Sequence, residues 1–113
     1  MHEASITESL LSLALEKATE AKATKITSIN LVVGELSGAV PDCIQFYFDA
    51  ISRDTIAKGA TLNFETKPTQ IRCRTCQKVF TPANHEWACP TCHEISVEIA
   101  SGRECYMESI EVE

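Results

Sequence analysis

The 113-residue chain is 44% hydrophobic and has a formal net charge of -6, from 10 Lys+Arg against 16 Asp+Glu. This size and apolar content predict one ordinary folded domain with one main core and exclude a disordered chain, while the acidic balance opposes the broad electrostatic attraction that non-specific nucleic-acid binding relies on. No stretch approaches the roughly 18 uninterrupted apolar residues of a membrane helix, and no basic segment followed by an apolar signal core opens the chain, so a cytoplasmic protein without a membrane or nucleic-acid partner is expected.

The chain begins Met1-His2-Glu3. An aminopeptidase that removes Met1 needs a small second residue, so Met1 is expected to survive beside the bulky histidine. The Met1 amine, the His2 amide nitrogen and the His2 ring nitrogen can then wrap one metal ion in fused chelate rings, an arrangement of nitrogens that suits Ni(II) or Cu(II) better than Zn(II). Taken alone, a histidine at a chain end is usually a mobile surface residue, and Glu3 is also simply favourable in the first turn of a helix. Residues 3–23 read as an amphipathic helix, with Ile6, Leu10, Leu13, Ala14, Ala18 and Ala21 on one face. "KITSINLVVGEL" follows as a β-branched strand with Ile29, Leu31 and Val33 on one face and Gly34 able to end or bend it.

Pro41 suits the first turn of a second helix, through which Ile44, Tyr47, Phe48 and Ile51 recur at helical spacing. "ATLNFET" alternates with Leu62 and Phe64 in phase, and "RECYMESIEVE" reads as a last strand with Tyr106, Ile110 and Val112 in phase. Between them, from Pro68 to about Ala100, the apolar periodicity fades. A segment that short cannot bury enough apolar surface to fold without a staple. The expected class is therefore α+β: two helices on a three-stranded sheet formed by residues 1–67 plus 101–113, with residues 68–100 inserted as a zinc-ribbon-like four-cysteine module.

The staple is legible in the cysteines. Cys73-Arg-Thr-Cys76 and Cys89-Pro-Thr-Cys92 are two C-x-x-C knuckles separated by residues 77–88, long enough for a small hairpin. Each knuckle brings two thiolates to one tetrahedral ion, and two knuckles close a four-thiolate shell with no position left for water or substrate. That is a structural site, for zinc or, with the same ligands, iron. A dithiol redox pair would explain one knuckle but not two, and the haem-attachment pattern within "CPTCH" requires export that no signal peptide supports. His85 and His93 lie between or beside the knuckles, where they are either solvated or able to exchange with a cysteine or respond to pH. Cys43 and Cys105 fall in regular elements and read as small buried hydrophobes.

A zinc-ribbon module also raises the reading of a protein- or nucleic-acid-binding domain. Residues 67–99 carry Lys67, Arg72, Arg74 and Lys78 against Glu86, Glu94 and Glu98, a feeble basic patch, and Trp87 is expected to cover the knuckles rather than stack on a base. A closed thiolate shell, and a chain in which no nucleophile has an obvious base, argue against an enzyme.

Across nearly its whole length the sequence resembles the HypA/HybF hydrogenase maturation proteins. The "MHE" start, "VVGELSGAVPD", "FYFDAI", "GATLNFE", "CRTC", "CPTCH" and "SIEVE" occur in order at matching intervals. The resemblance implies a nickel metallochaperone with a nickel-binding α/β domain and an attached zinc domain. It implies that His2 is the essential nickel ligand, assisted by the terminal nitrogens of Met1 and His2 and by Glu3, while Cys73, Cys76, Cys89 and Cys92 hold zinc. The partners it implies are a nickel-handling maturation GTPase, the hydrogenase large subunit and, in some organisms, urease accessory proteins. Some family members carry a nickel-linked acidic residue in the loop after the "GE" strand. Here Asp42 is displaced from that place and is expected to serve the start of the second helix instead.

Overall fold

The computed structural model describes residues 3–83 and 86–113. Helix α1 spans Glu3–Glu20, strand β1 Ile26–Gly34, helix α2 Pro41–Ile51 and strand β2 Thr61–Lys67; then come β3 (Gln70–Cys73), β4 (Val79–Phe80), β5 (Val97–Ser101) and β6 (Cys105–Val112). The strands form two sheets of three, ordered β2-β1-β6 and β4-β3-β5. The two helices on the first sheet match the expected α+β architecture.

β1 is the centre of the first sheet, parallel to β2 and antiparallel to β6. Its period-two pattern sends Ile29 and Leu31 toward the helices together with their register partners Leu62 and Phe64. α1 contributes Leu11, Ala14 and Ala18 to this core, and α2 contributes Ile44 and Phe48. The opposite sheet face carries a polar ladder: the Asn63 amide donates to Asn30 Oδ1, and the Asn30 amide donates to Ser109 Oγ, joining all three strands.

Three details differ from the expected faces. Leu11 points inward while Leu13 is 37% exposed and Ala21 lies beyond the helix, so the buried stripe keeps Ile6, Ala14 and Ala18 of the expected face and gains Leu11. In β6 an irregularity in pairing between Asn30 and Leu31 of β1 shifts the phase. Met107 and Ile110 therefore meet the core, while Tyr106 and Val112 stay exposed. Cys43 is exposed and Cys105 half-buried, so neither is the core hydrophobe anticipated.

Pro41 occupies the first turn of α2, and no side chain caps that helix, leaving Asp42 as the acidic group at its positive end. Only Ile44 and Phe48 of the expected apolar stripe are buried; Tyr47 and Ile51 are exposed.

The two sheets meet at the end of β1. The Gly34 N–H donates to the Glu104 carbonyl at 2.6 Å, Glu35 N–H to Lys67 at 3.0 Å, and Leu36 N–H to Gly102 at 2.7 Å. Thr69 Oγ1 donates to the Glu35 carboxylate at 3.1 Å, and the Glu104 carboxylate accepts from the Gly102 N–H. One turn therefore holds both segments that cross between the sheets. Gly34 is required here by close approach: a Cβ would lie 2.1 Å from the Gly102 carbonyl oxygen. Gly102 itself has φ +116 and packs on Thr69.

Candidate metal centre

The second sheet is too small to make an aliphatic core of its own. Its buried cluster is Ile71, Cys73, Phe80 and Cys89, with Cys92, Val97 and Ile99 against it, so two of the four knuckle cysteines are themselves core residues. Cys73 ends β3, and the first knuckle turns the chain into β4, which pairs back onto β3 at Arg72 and Ile71. The hairpin thus wraps the first knuckle instead of filling the inter-knuckle loop, where Ala83 and Glu86 form an isolated bridge.

Both knuckles are the same turn. The first cysteine's N–H donates to the carbonyl five residues on, Cys73 to Lys78 and Cys89 to Glu94. Its own carbonyl accepts from the residue four places on, Gln77 or His93. Closing this turn drives the residue after the second cysteine into the left-handed region, at φ 65 for Gln77 and 63 for His93. Histidine is among the side chains that enter this region more readily than most, which gives His93 a local structural reason to follow the knuckle. Lys78 Nζ ties the two turns together by donating to Thr91 Oγ1 at 2.8 Å.

The four sulfurs converge. All lie within 4.8 Å of one another, with Cys73 Sγ to Cys92 Sγ at 3.4 Å and Cys76 Sγ to Cys89 Sγ at 3.6 Å. Four thiolates about 2.3 Å from a tetrahedral zinc ion stand roughly 3.8 Å apart, so these sulfurs fit such an ion with little adjustment. Cys89 and Cys92 belong to this group of four, which leaves the haem-attachment reading of "CPTCH" without support.

Backbone N–H groups favour the thiolate at all four sulfurs, and the contacts among the thiols decide which of them are raised. A hydrogen bond from the Cys76 N–H, at 3.5 Å, is the main influence lowering the Cys73 thiol. The Cys92 N–H, reinforced by that of Thr91, lowers Cys89 to about 6. At Cys92 the Glu94 N–H favours the thiolate, but hydrogen bonding to Cys73, burial and the remaining thiols outweigh it and push the group up to about 12. Cys76 is raised too: the Lys78 N–H favours its thiolate, against burial and its contacts with Cys89 and Cys73. Each short S···S contact therefore joins one lowered and one raised thiol.

Among the described residues this is the one group of three or more metal-ligating side chains that gathers. Of the N-terminal candidates, Met1 and His2 lie outside the described residues, and Glu3 is the half-buried first residue of α1. His85 also lies outside them. Trp87 lines a cleft of about 440 Å3 with Arg74, Val97, Glu98, Ile99 and Arg103. Glu98 contacts Arg72 at 3.4 Å and Arg74 at 3.9 Å, which weakens the basic patch further. Neither this cleft nor the close approach of Gly102 to Gly34 is legible from local periodicity; the glycines at 34 and 102 are the signal for the second.

Comparison with known proteins agrees with this architecture. The family described as "Hydrogenase/urease nickel incorporation, metallochaperone, hypA" matches residues 1–112. A hydrogenase maturation factor HypA from Dehalococcoides mccartyi is 49% identical over 113 residues, spanning 100% of this chain and 95% of the relative. One from Caldanaerobacter subterraneus is 40% identical over 114 residues, with both chains fully covered. The solution structure of the Ni metallochaperone HypA from Helicobacter pylori aligns with a TM-score of 0.71 at 28% identity, covering 99% of this chain and 97% of that one. A second HypA solution structure aligns with a TM-score of 0.80 at 29% identity, covering 99% and 96%. The family match over nearly the whole chain, the full-length relatives and the shared fold agree, and the chain belongs to the HypA family of hydrogenase maturation nickel metallochaperones.

Proposed function

We propose that this chain carries Ni(II) on its N-terminus and passes it on for [NiFe]-hydrogenase maturation, catalysing no covalent reaction. In this reading the Met1 amine, the His2 amide and imidazole nitrogens and Glu3 hold the nickel, and Cys73, Cys76, Cys89 and Cys92 hold a structural zinc ion. Residues 1–67 with 101–113 form the nickel-carrying domain, and residues 68–100 the zinc domain.

The observation that carries the reading is the closed character of the thiolate cluster in a chain of a nickel-handling family. Four converging sulfurs fill a tetrahedral shell, which suits an ion that stays. Cargo has to be released, and an exposed terminal chelate with few protein ligands lets an incoming ligand compete one position at a time. α1 begins at Glu3, directly behind the proposed chelate. Its first-turn carboxylate stands next in sequence to the histidine and complements the helix dipole when no metal is bound.

Zinc supplies the small module with cross-linking that its core lacks. The chain's own residues do the rest: the amides of Cys76, Cys92 and Thr91 favour thiolates at Cys73 and Cys89, and the Gly34 turn fixes the module against the first sheet. The setting is cytoplasmic, and the receivers are a nickel-handling GTPase and the hydrogenase large subunit, with urease accessory proteins as a second destination.

The test is a nickel titration of zinc-loaded protein with an unmodified Met1, followed by calorimetry and absorption, beside His2→Ala. One nickel per chain in the parent and none in the variant, with zinc content equal, is expected. Equal nickel binding by both would remove the N-terminal site from the reading. A second reading, a zinc-ribbon binding module, draws on the Arg74, Trp87 and Arg103 cleft; salt-dependent RNA or DNA binding lost in Trp87→Ala would favour it.

A further inference from the structure

Helix α2 is apolar on both sides. Ile44 and Phe48 enter the core, but Val40, Cys43, Phe46, Tyr47 and Ala50 form a second stripe that faces solvent. Phe46 is 71% exposed, and its ring meets Tyr47 edge-on at a centroid distance of 5.7 Å. A helix that needs to bury one face has no folding reason to carry two aromatic rings on the other, and a contiguous apolar stripe with aromatic residues is characteristic of a binding surface.

The charges around the stripe say what covers it. At helical spacing Asp42 and Asp49 lie along one border, and no lysine or arginine occurs within Pro41–Ile51 to balance them. A second copy of this chain would bring these carboxylates together, and each copy carries a net charge of -6; like-charge juxtaposition opposes that pairing. A cationic border on the partner complements them.

We propose that the outer face of α2 is a docking surface for a partner protein's amphipathic helix, one with an apolar ridge at i, i+3, i+4 and i+7 flanked by lysine or arginine. Phe46 and Tyr47 fill the gaps of that ridge, and Asp42 and Asp49 set its direction by pairing with the cationic flank. The surface is independent of the nickel reading and works with zinc-loaded protein alone.

The experiment uses the full chain with zinc bound and two synthetic helical peptides with the same leucine ridge, one flanked by lysines and one by glutamates. Fluorescence anisotropy measures affinity, and amide chemical shifts locate the contact. The lysine peptide is expected to bind at least about tenfold more tightly, with the shifts on α2 and affinity falling as salt rises. Phe46→Ser and Tyr47→Ser should each weaken it by about tenfold, and Asp42→Asn should flatten its salt dependence. Because Phe46 is already exposed, Phe46→Ser should melt with the parent, so lost binding cannot be lost folding. Equal affinity for the two peptides, no binding of either, shifts centred elsewhere, or a Phe46-dependent dimer in sedimentation would each overturn the proposal.

Discussion

Replacing Gly34 by alanine tests the turn that joins the two sheets. The added Cβ would sit 2.1 Å from the Gly102 carbonyl oxygen, 2.4 Å from its carbon and 2.9 Å from the Glu104 nitrogen. All three are backbone atoms, so no flexible side chain can yield, and the crossing segment must retreat by about 1 Å to reach ordinary contact. That movement breaks the Leu36-to-Gly102 and Gly34-to-Glu104 hydrogen bonds, each contributing about 1 kcal/mol. Overpacking adds about 1–3 kcal/mol, and relief of glycine's backbone entropy returns about 0.5–1 kcal/mol. The net is a loss of about 2–4 kcal/mol, or roughly 10 °C or more in Tm for a domain of this size. Gly38→Ala is the control: nothing lies within 4 Å and only its φ of +79 opposes a side chain, so about 1–2 kcal/mol is expected. Thermal and urea melts of zinc-loaded protein measure both. A Gly34→Ala variant melting within about 3 °C of the parent would refute the argument that this close approach fixes the junction.

Chelating zinc, or replacing Cys89 by serine, should unfold β3, β4 and β5 while the α1, α2 and first-sheet core persists, because the two buried clusters share no residue; hydrogen exchange mapped by peptide would show both behaviours, and uniform exchange would contradict them. Zinc uptake near pH 7 should release at least the protons of the raised Cys76 and Cys92 thiols, and more once the pH falls below the Cys89 value of about 6. Zinc affinity therefore declines with acid, and calorimetry in buffers of different ionisation enthalpy counts the protons. His93→Gly should stabilise the module by up to about 1 kcal/mol by relieving its positive φ, read as a higher melting temperature at constant zinc content; destabilisation would show that the imidazole contributes more than the turn. The Glu104 carboxyl is held below the usual range by its own backbone N–H and that of Gly102. Its contribution is present above the ordinary carboxylate range and lost as pH falls through the lowered value, so Glu104→Gln should narrow the stability gap to the parent in acid.

Much of this was legible in the sequence because it rests on period and spacing. The alternation of Ile29 and Leu31 fixed the inner face of β1, Pro41 placed the start of α2, and two knuckles implied one cluster. What was not legible depends on contacts between segments far apart in the chain. The pairing irregularity that exposes Tyr106 and buries Met107 is set by β1 across the sheet. α1 turned Leu11 inward because its contacts, not its composition, choose among adjacent leucines. Gly34 read as a strand end, which it is, but its requirement for no side chain comes from Gly102, far along the chain. Cys43 looked like a core residue because α2 has two apolar faces, and periodicity alone does not rank them.

The order of strands also has a consequence in time. β1 is the middle strand of its sheet, yet its antiparallel partner β6 is made roughly 45 residues after β2 is complete. At about 5–20 residues per second, a nascent chain spends on the order of 2–9 s with one edge of β1 lacking its partner, an edge on which foreign strands can pair. The cysteine module is synthesised in that interval. If the module takes up a metal ion before β6 is made, β6 emerges beside a fixed junction; if not, it emerges beside a loose tether and that edge stays open to the wrong neighbour for longer.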